Sequence, residues 1–316
     1  RAVYFLYKIL CLFISERRSL WLALALGLYP PGLKHLPLLL TEVLGIFLVC
    51  AFMYLFVLYV RRGEVRHLLG AGFFLAYTAL TKAIFGYVMI GAGIVFVLAF
   101  LLWRLEAIRR GFVVCGLALL ISIPYLIYTF AVTGKIFYWS NAGGQSLYWM
   151  ASPYNGELGD WHKLEHVSEE QELSPHIPFV DSVIGLDLVR RDEVLKERAL
   201  LWIKKYPRVF VKHWIANVSR LLFNFPYSFT PQKLGTLFYL VPNMFLIVPF
   251  VLSFFPVVRG MIRVSPGVWM LGIFCFVYLF GISLLSAYAR FFLPVVPFFL
   301  LWNGIVWCPL CLSEHE

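Results

Sequence analysis

In a chain of 316 residues, 61% of them hydrophobic and only 14% charged, the ionisable side chains that interrupt apolar runs are the first places to look for chemistry. Apart from short basic clusters and one long polar stretch, these are Lys8, Lys34, Glu42, Lys82 and Arg290, with His35 beside Lys34. The cations Lys34, Lys82 and Arg290 in such a setting suggest an anionic ligand. The structural alternatives are headgroup contact by Lys34 and an ion pair of Glu42 with Lys82 or Lys34.

Other spellings are weaker. His162, Glu165 and His166 read H-x-x-E-H, in which two histidines one helical turn apart hold zinc and the glutamate acts as base. Glycines and a proline lie just upstream and no third ligand is evident, so a zinc hydrolase is the lesser reading and no metal site is assigned. Cys308 and Cys311 form a C-x-x-C without the second pair that a tetrahedral site needs. The long polar stretch has none of the six cysteines, so no disulfide framework is indicated. Asn217-Val218-Ser219 is a glycosylation sequon by spelling only.

Elements must hold these residues in place, and composition fixes their type. Lipid offers no hydrogen bonds to bare backbone, and uninterrupted apolar runs such as Leu38 to Val60 are helical rather than alternating. The expected fold is all-α and polytopic: a multi-helix transmembrane bundle with one large outer-face loop. The net charge of +10 would point to nucleic acid in a soluble protein. Here the cations cluster between apolar runs and read as topology signals, so the partner is a bilayer and not a nucleic acid.

Four clusters belong in the cytoplasm: Arg17/Arg18, Arg61/Arg62/Arg66, Arg104/Arg109/Arg110 and Arg259/Arg263. An even number of crossings must separate each pair. Ser19 to Pro30 and Leu38 to Val60 supply the first two. Leu68 to Trp103 is too long for one span at about 1.5 Å per residue and must fold back near Thr81 and Lys82. Phe112 to Val132 leads outward, Gly235 to Val258 returns, Gly267 to Ala287 leaves again, and Phe291 to Leu310 brings the C-terminus inside. Lys34, Glu42, Lys82 and Arg290 then fall near one outer surface, and three cations there point to an anionic ligand. The first apolar run, Ala2 to Ile14, lacks an initiating methionine and a cleavable signal, as expected of a sequence opening inside a helix.

Three regions follow: residues 1–133, 134–234 and 235–316. The middle one holds 11 of the 17 acidic residues and is expected outside. In its second half Lys204, Arg208, Lys212 and Arg220 recur at multiples of four opposite Phe210, Trp214, Ile215, Val218 and Leu222. This reads as an interfacial helix with a solvated, headgroup-facing charged side.

At these residues the chain resembles a family. ERRSLWLALALGLYPP, LLLTEVLGIF, a basic turn and GAGFFLAYTALTKAIFG follow the order of the polytopic glycosyltransferases of the C superfamily, family 39, the protein mannosyltransferase and aminoarabinose transferase type. VTGKIFYWSNAGGQSLYWMASPY is similar to the start of their outer domain. ERALLWIKKYPRVFVKHWIANVSRLL is similar to their interfacial helix, and SAYARFFLPVVPFFLLW to their late arginine-then-proline helix.

The resemblance implies transfer of a sugar from a polyprenyl phosphate donor to an acceptor lipid, glycan or protein at the outer face of a bacterial plasma membrane, with inversion. Lys82 and Arg290 would bind the donor phosphate, and Glu42, Lys34 and His35 would orient substrate. The family's catalytic acid would precede Arg1, so no residue here receives that role and the 316 residues are expected to be an incomplete enzyme. No cofactor is implied, and the use of a divalent metal is left open. The rival class is a transporter or flippase for an anionic lipid or solute, against which stands the absence of an internal repeat or paired broken helices.

Overall fold

The computed structural model describes residues 1–37 and 41–308. Leu38 to Leu40, where a span was expected to begin, and the stretch containing Leu310 and Cys311 lie outside the described residues. Fourteen α-helices are named among them: α1 Ala2–Leu10, α2 Glu16–Gly27, α3 Pro30–His35, α4 Thr41–Arg62, α5 Val65–Thr81, α6 Ile84–Trp103, α7 Glu106–Thr133, α8 Gly143–Ala151, α9 Ile177–Val183, α10 Leu188–Lys205, α11 Pro207–Phe223, α12 Leu237–Val258, α13 Pro266–Ser283 and α14 Val296–Trp307. No strand occurs among the described residues, only an isolated bridge between Tyr227 and Thr230. Six helical stretches are long and apolar enough to cross a membrane: Thr41–Arg62, Ile84–Trp103, Glu106–Thr133, Leu234–Val258, Pro266–Ser283 and Ala289–Trp307. The chain is an all-α, multi-pass membrane protein.

It divides into two compact units. The first is Arg1–Ile127, Val241–Leu279 and Phe292–Glu316, the second Tyr128–Leu240 and Phe280–Phe291.

In the first unit α4 and α5 form an antiparallel hairpin. The turn is made by Gly63 at φ +72, where a Cβ would lie 2.9 Å from Nη2 of Arg110. Only glycine meets both demands without strain. Arg110 donates from Nη1 to the carbonyls of Tyr59 (3.3 Å) and Val60 (2.9 Å), satisfying acceptors that end the α4 ladder. Arg61 likewise donates to Leu12 O (3.3 Å), and the space for Gly267 at the start of α13 is bounded by Val57 and Val60. The basic clusters around Arg61 and Arg110, and the turn that follows Arg263, therefore gather at one end of this unit. At mid-height Phe274 of α13 receives Phe52, Phe56 and Phe96 edge-on, with ring centroids 5.2, 5.7 and 5.4 Å away.

One expected crossing takes a different form. Ser19 to Pro30 is not a single span, because α2 has 12 residues and rises only about 18 Å against about 30 Å of hydrocarbon. The helix stops at Leu28 (φ −100, ψ 7), Tyr29 is extended, and Pro30 and Pro31 open α3 instead of continuing α2. Hydropathy registers the apolar side chains and not this break. Tyr29 then donates its hydroxyl to Asn243 Oδ1 of α12.

In the second unit α8 lies across α10. A Cβ on Gly144 would fall 2.0 Å from Asp192 O, so glycine is what lets the two backbones approach, and Gly144 N donates to Asp192 Oδ1 at 2.6 Å. Asp187 caps α10 by accepting from Val189 N (3.0 Å) and Arg190 N (3.1 Å). Tyr148, Trp149, Leu164, Leu173, Val180 and Leu195 form the apolar centre of this unit.

The long interfacial helix is two helices, α10 and α11, broken at Tyr206 and Pro207. Pro207 supplies no backbone donor and starts α11. The solvated charged face is corrected at its last member. Arg220 and Asn217 are 0% exposed, while the apolar Ile215 is 62% exposed. The reason is a carbonyl-rich cleft that only a guanidinium at that position fills. A buried Asn217 also leaves no room for a glycan at the sequon.

Candidate functional site

The first unit brings two of the sequence candidates together. Glu42 occupies the first turn of α4, and Lys82 is the extended residue (φ −135, ψ 106) between α5 and α6. Thr78 and Thr81 return their hydroxyls to the carbonyls of Phe74 and Tyr77 at 2.7 Å each, a pattern that closes the last turn of α5 just before Lys82. Lys82 Nζ donates to Glu42 Oε1 at 3.0 Å, and the side chains are 9% and 3% exposed. Gly45, one turn along α4 on the face of Glu42, makes room for the lysine stem: its missing Cβ would sit 3.4 Å from Lys82 Cε. Lys34 and His35 stand in the last turn of α3, the lysine exposed and the histidine buried. This helix packs on α2 and α4. Cations are favoured at that helix terminus.

Arg290 belongs to the second unit, in the 3-10 stretch Ala289–Val295. Its guanidinium lies 5.3 Å from the ring centroid of Tyr288 and 5.4 Å from that of Phe291. The segment before it is held by residues the sequence did not single out for this role. Asn217 Nδ2 donates to Ser283 O and Leu285 O at 2.7 Å each, and Asn217 Oδ1 accepts from Ala287 N at 2.9 Å. Arg220 donates to Ala287 O (3.1 Å), Gly159 O (2.7 Å) and Pro226 O (3.0 Å), with Asp160 at 3.9 Å. Burial pushes the Arg220 guanidinium below its usual pKa, and Asp160 opposes that. Trp214 Nε1 donates to Ser283 Oγ at 3.0 Å. The clamp was hidden because its partners sit on irregular segments outside the helix, Pro226 6 residues away and the Gly159 and Ala287 backbones 61 to 70.

A second buried group was also missed. His176 Nδ1 is 2.6 Å from the Tyr148 hydroxyl and Nε2 is 2.7 Å from Glu157 Oε1, with exposures of 0%, 0% and 3%. Burial raises the Tyr148 phenol above its ordinary pKa. No local spacing could reveal a set whose members stand 19 and 28 residues apart.

The H-x-x-E-H residues do not converge. Leu164–His166 is a 3-10 turn, His162 Nδ1 faces Glu170 at 3.5 Å, and His166 Nδ1 faces Glu169 at 2.7 Å. Without an α-helical turn between them the two imidazoles lack the common face that a zincin needs. Among the described residues no group of three or more His, Cys, Asp or Glu is placed to hold a metal.

An apolar groove of about 400 Å³ between α6 and α7 is lined by Met89, Ile90, Gly93, Ile94, Cys115 and Gly116, among others. Its near end is about 10 Å along α6 from Lys82. A buried cation, its carboxylate and a neighbouring apolar groove can together accept an amphiphile with an anionic head. Comparisons with protein-family models, with curated proteins and with solved structures found no match for the chain.

Proposed function

We propose that the protein is a membrane glycosyltransferase that moves a sugar from a polyprenyl phosphate donor to an acceptor at the outer face of the membrane. The observation that carries this reading is the Lys82–Glu42 pair, a cation 9% exposed at the junction of two apolar helices. Glu42 meets the cost of that charge as an ion pair, the structural alternative named from the sequence, and the ligand role rests on the rule that an ionisable group at such depth marks a functional site by default.

In the reaction the acceptor oxygen attacks the anomeric carbon as the bond from that carbon to the phosphate oxygen breaks. The phosphate leaves with the electron pair and the hydroxyl proton passes to a base, a role assigned to none of these residues. A polyprenyl phosphate departs as an anion, so a fixed ammonium stabilises it without proton transfer. Low local dielectric strengthens that interaction. Glu42 holds the ammonium in place, and the α6–α7 groove takes prenyl units.

The test uses the full-length protein in proteoliposomes with a panel of polyprenyl phosphate sugars, following release of free polyprenyl phosphate. Donor-dependent release, lowered on the order of 10² to 10³ in kcat by Lys82→Ala, is the expected result. Release unaffected by Lys82→Ala would remove the site. Movement of an anionic lipid across the bilayer with every donor intact would replace the transferase with a transporter.

A further inference from the structure

The second unit contains a pocket that the transfer reaction does not use. Arg198, Leu201, Trp202 and Lys205 recur at i, i+3, i+4 and i+7, so one face of α10 carries all four. Beyond Lys205 the chain turns through Tyr206 (φ −129, ψ 56) into α11, and the segment after α8 brings up Tyr154 from the other side. Together with Lys204 and Tyr206 they line a recess of about 620 Å³, open on one side and within the usual range for a small-molecule site. Three cations and three aromatic rings line the space, and among the described residues no carboxylate does.

Part of this has a simpler cause. Lys204 and Lys205 in the last turn of α10 complement the helix dipole, which accounts for their charge. That does not account for Arg198, nearly two turns earlier, whose guanidinium lies 4.4 Å from the ring centroid of Phe179 and 5.9 Å from that of Trp202. Nor does it account for the rings. Tyr154 and Trp202 meet edge-on at 6.0 Å and 79°. Behind them Tyr154 stands at 81° to His176, with centroids 4.8 Å apart, and Trp202 lies 4.9 Å from Tyr148. His176 is itself gripped by Tyr148 and Glu157, so the buried triad of the second unit braces the wall of the pocket. Rings fixed in advance add little ordering cost when a ligand arrives.

Rigid π-faces take the C–H face of a sugar ring, and adjacent cations take a negative substituent on it. We infer that this pocket binds a phosphorylated saccharide, either free in water or as the head of a lipid. The inference does not depend on the proposed transfer reaction, since binding is measured without turnover.

The experiment titrates glucose 6-phosphate, glucose and inorganic phosphate into the full-length protein in phosphatidylcholine nanodiscs. Calorimetry supplies the affinities. The sugar phosphate should bind at least tenfold more tightly than either control and more weakly as salt is raised. Arg198→Gln and Lys205→Gln, both at exposed positions, should each weaken binding about tenfold while the protein keeps a single cooperative thermal transition. Trp202→Phe should retain more affinity than Trp202→Leu. A phosphoglycolipid placed in the nanodisc separates the two sources. If it binds and glucose 6-phosphate displaces it, the ligand is lipid-borne, and if only the soluble compound binds, the ligand is free. Equal affinity for inorganic phosphate and the sugar phosphate would overturn the inference, as would binding of neither sugar phosphate. Indifference to both charge substitutions, or an effect only on adsorption to phosphatidylglycerol vesicles, would overturn it too.

Discussion

Lys82 and Glu42 offer a double-mutant cycle in which stability and turnover move apart. With exposures of 9% and 3% and an N–O distance of 3.0 Å, the pair is desolvated, so Lys82→Met deprives a buried carboxylate of its ammonium. The same holds for Glu42→Met and the ammonium. Removing one partner of a buried pair costs about 3–5 kcal/mol, whereas replacing both by apolar side chains of similar volume is close to neutral. Each single variant should thus lose about that amount in reversible denaturation in detergent, and Glu42→Met/Lys82→Met should recover most of it. Turnover should not recover. If the ammonium stabilises the departing phosphate, the double variant still lacks about 2.7–4 kcal/mol of transition-state stabilisation and remains on the order of 10² to 10³ slower. Lys82→Arg should restore only part of the rate, because its wider head must share the space beside Gly45 that the lysine stem occupies. The assay is polyprenyl phosphate release by each variant beside its unfolding free energy. Wild-type turnover in the stable double variant would show that the pair is structural alone and refute the phosphate assignment.

Other outcomes follow from the same contacts. Cysteines placed at Ala107 and Met261, beside the basic clusters, should be shielded from an impermeant reagent in intact cells. One at Ser168 should label above the parent chain, and the reverse pattern would invert the orientation. Asn217→Ala removes three hydrogen bonds to the 283–287 segment, and Arg220→Met empties a cleft lined by the carbonyls of Gly159, Pro226 and Ala287. Each should cost about 3 kcal/mol or more of stability, by the desolvation of buried partners left unsatisfied, and proteolysis of that segment reports it. Burial holds the His213 imidazole below its ordinary pKa, so the unfolded chain binds the proton first. Its contribution to stability is therefore present above about pH 6.5 and lost as pH falls toward the folded value, and His213→Gln should flatten that slope in thermal unfolding.

The spans were legible because the constraint that makes them acts along the chain. A run of apolar residues of sufficient length must be helical in lipid, and the fold-back at Thr81 and Lys82 followed from arithmetic, since 36 residues from Leu68 to Trp103 exceed one crossing. The same arithmetic overreached at Ser19 to Pro30, where composition is apolar throughout but Tyr29 before Pro30 leaves the helical region. Periodicity failed in a different way at Arg220. A charge at the spacing of Lys204, Arg208 and Lys212 reads as the same solvated face, because spacing knows only the helix it belongs to. The carbonyls that receive Arg220 come from residues 158, 159, 226 and 287, four places on three separate segments.

Sequence separation is nevertheless not what decides legibility. Glu42 and Lys82 are 40 residues apart, and their pairing was within reach because α4 and α5 form a hairpin that brings the start of one to the end of the other. Tyr148 and His176 are only 28 apart, and theirs was not, because the segment between them is a chain of short turns with no period. Regular helices convert residue number into height along the bundle, so a charge near one end has few possible neighbours. Irregular loops perform no such conversion. The Glu42–Lys82 pair could therefore be named from the sequence, whereas the Tyr148–His176–Glu157 triad, the Arg220 clamp and the pocket walled by Tyr154 and Trp202 are visible only in the structure.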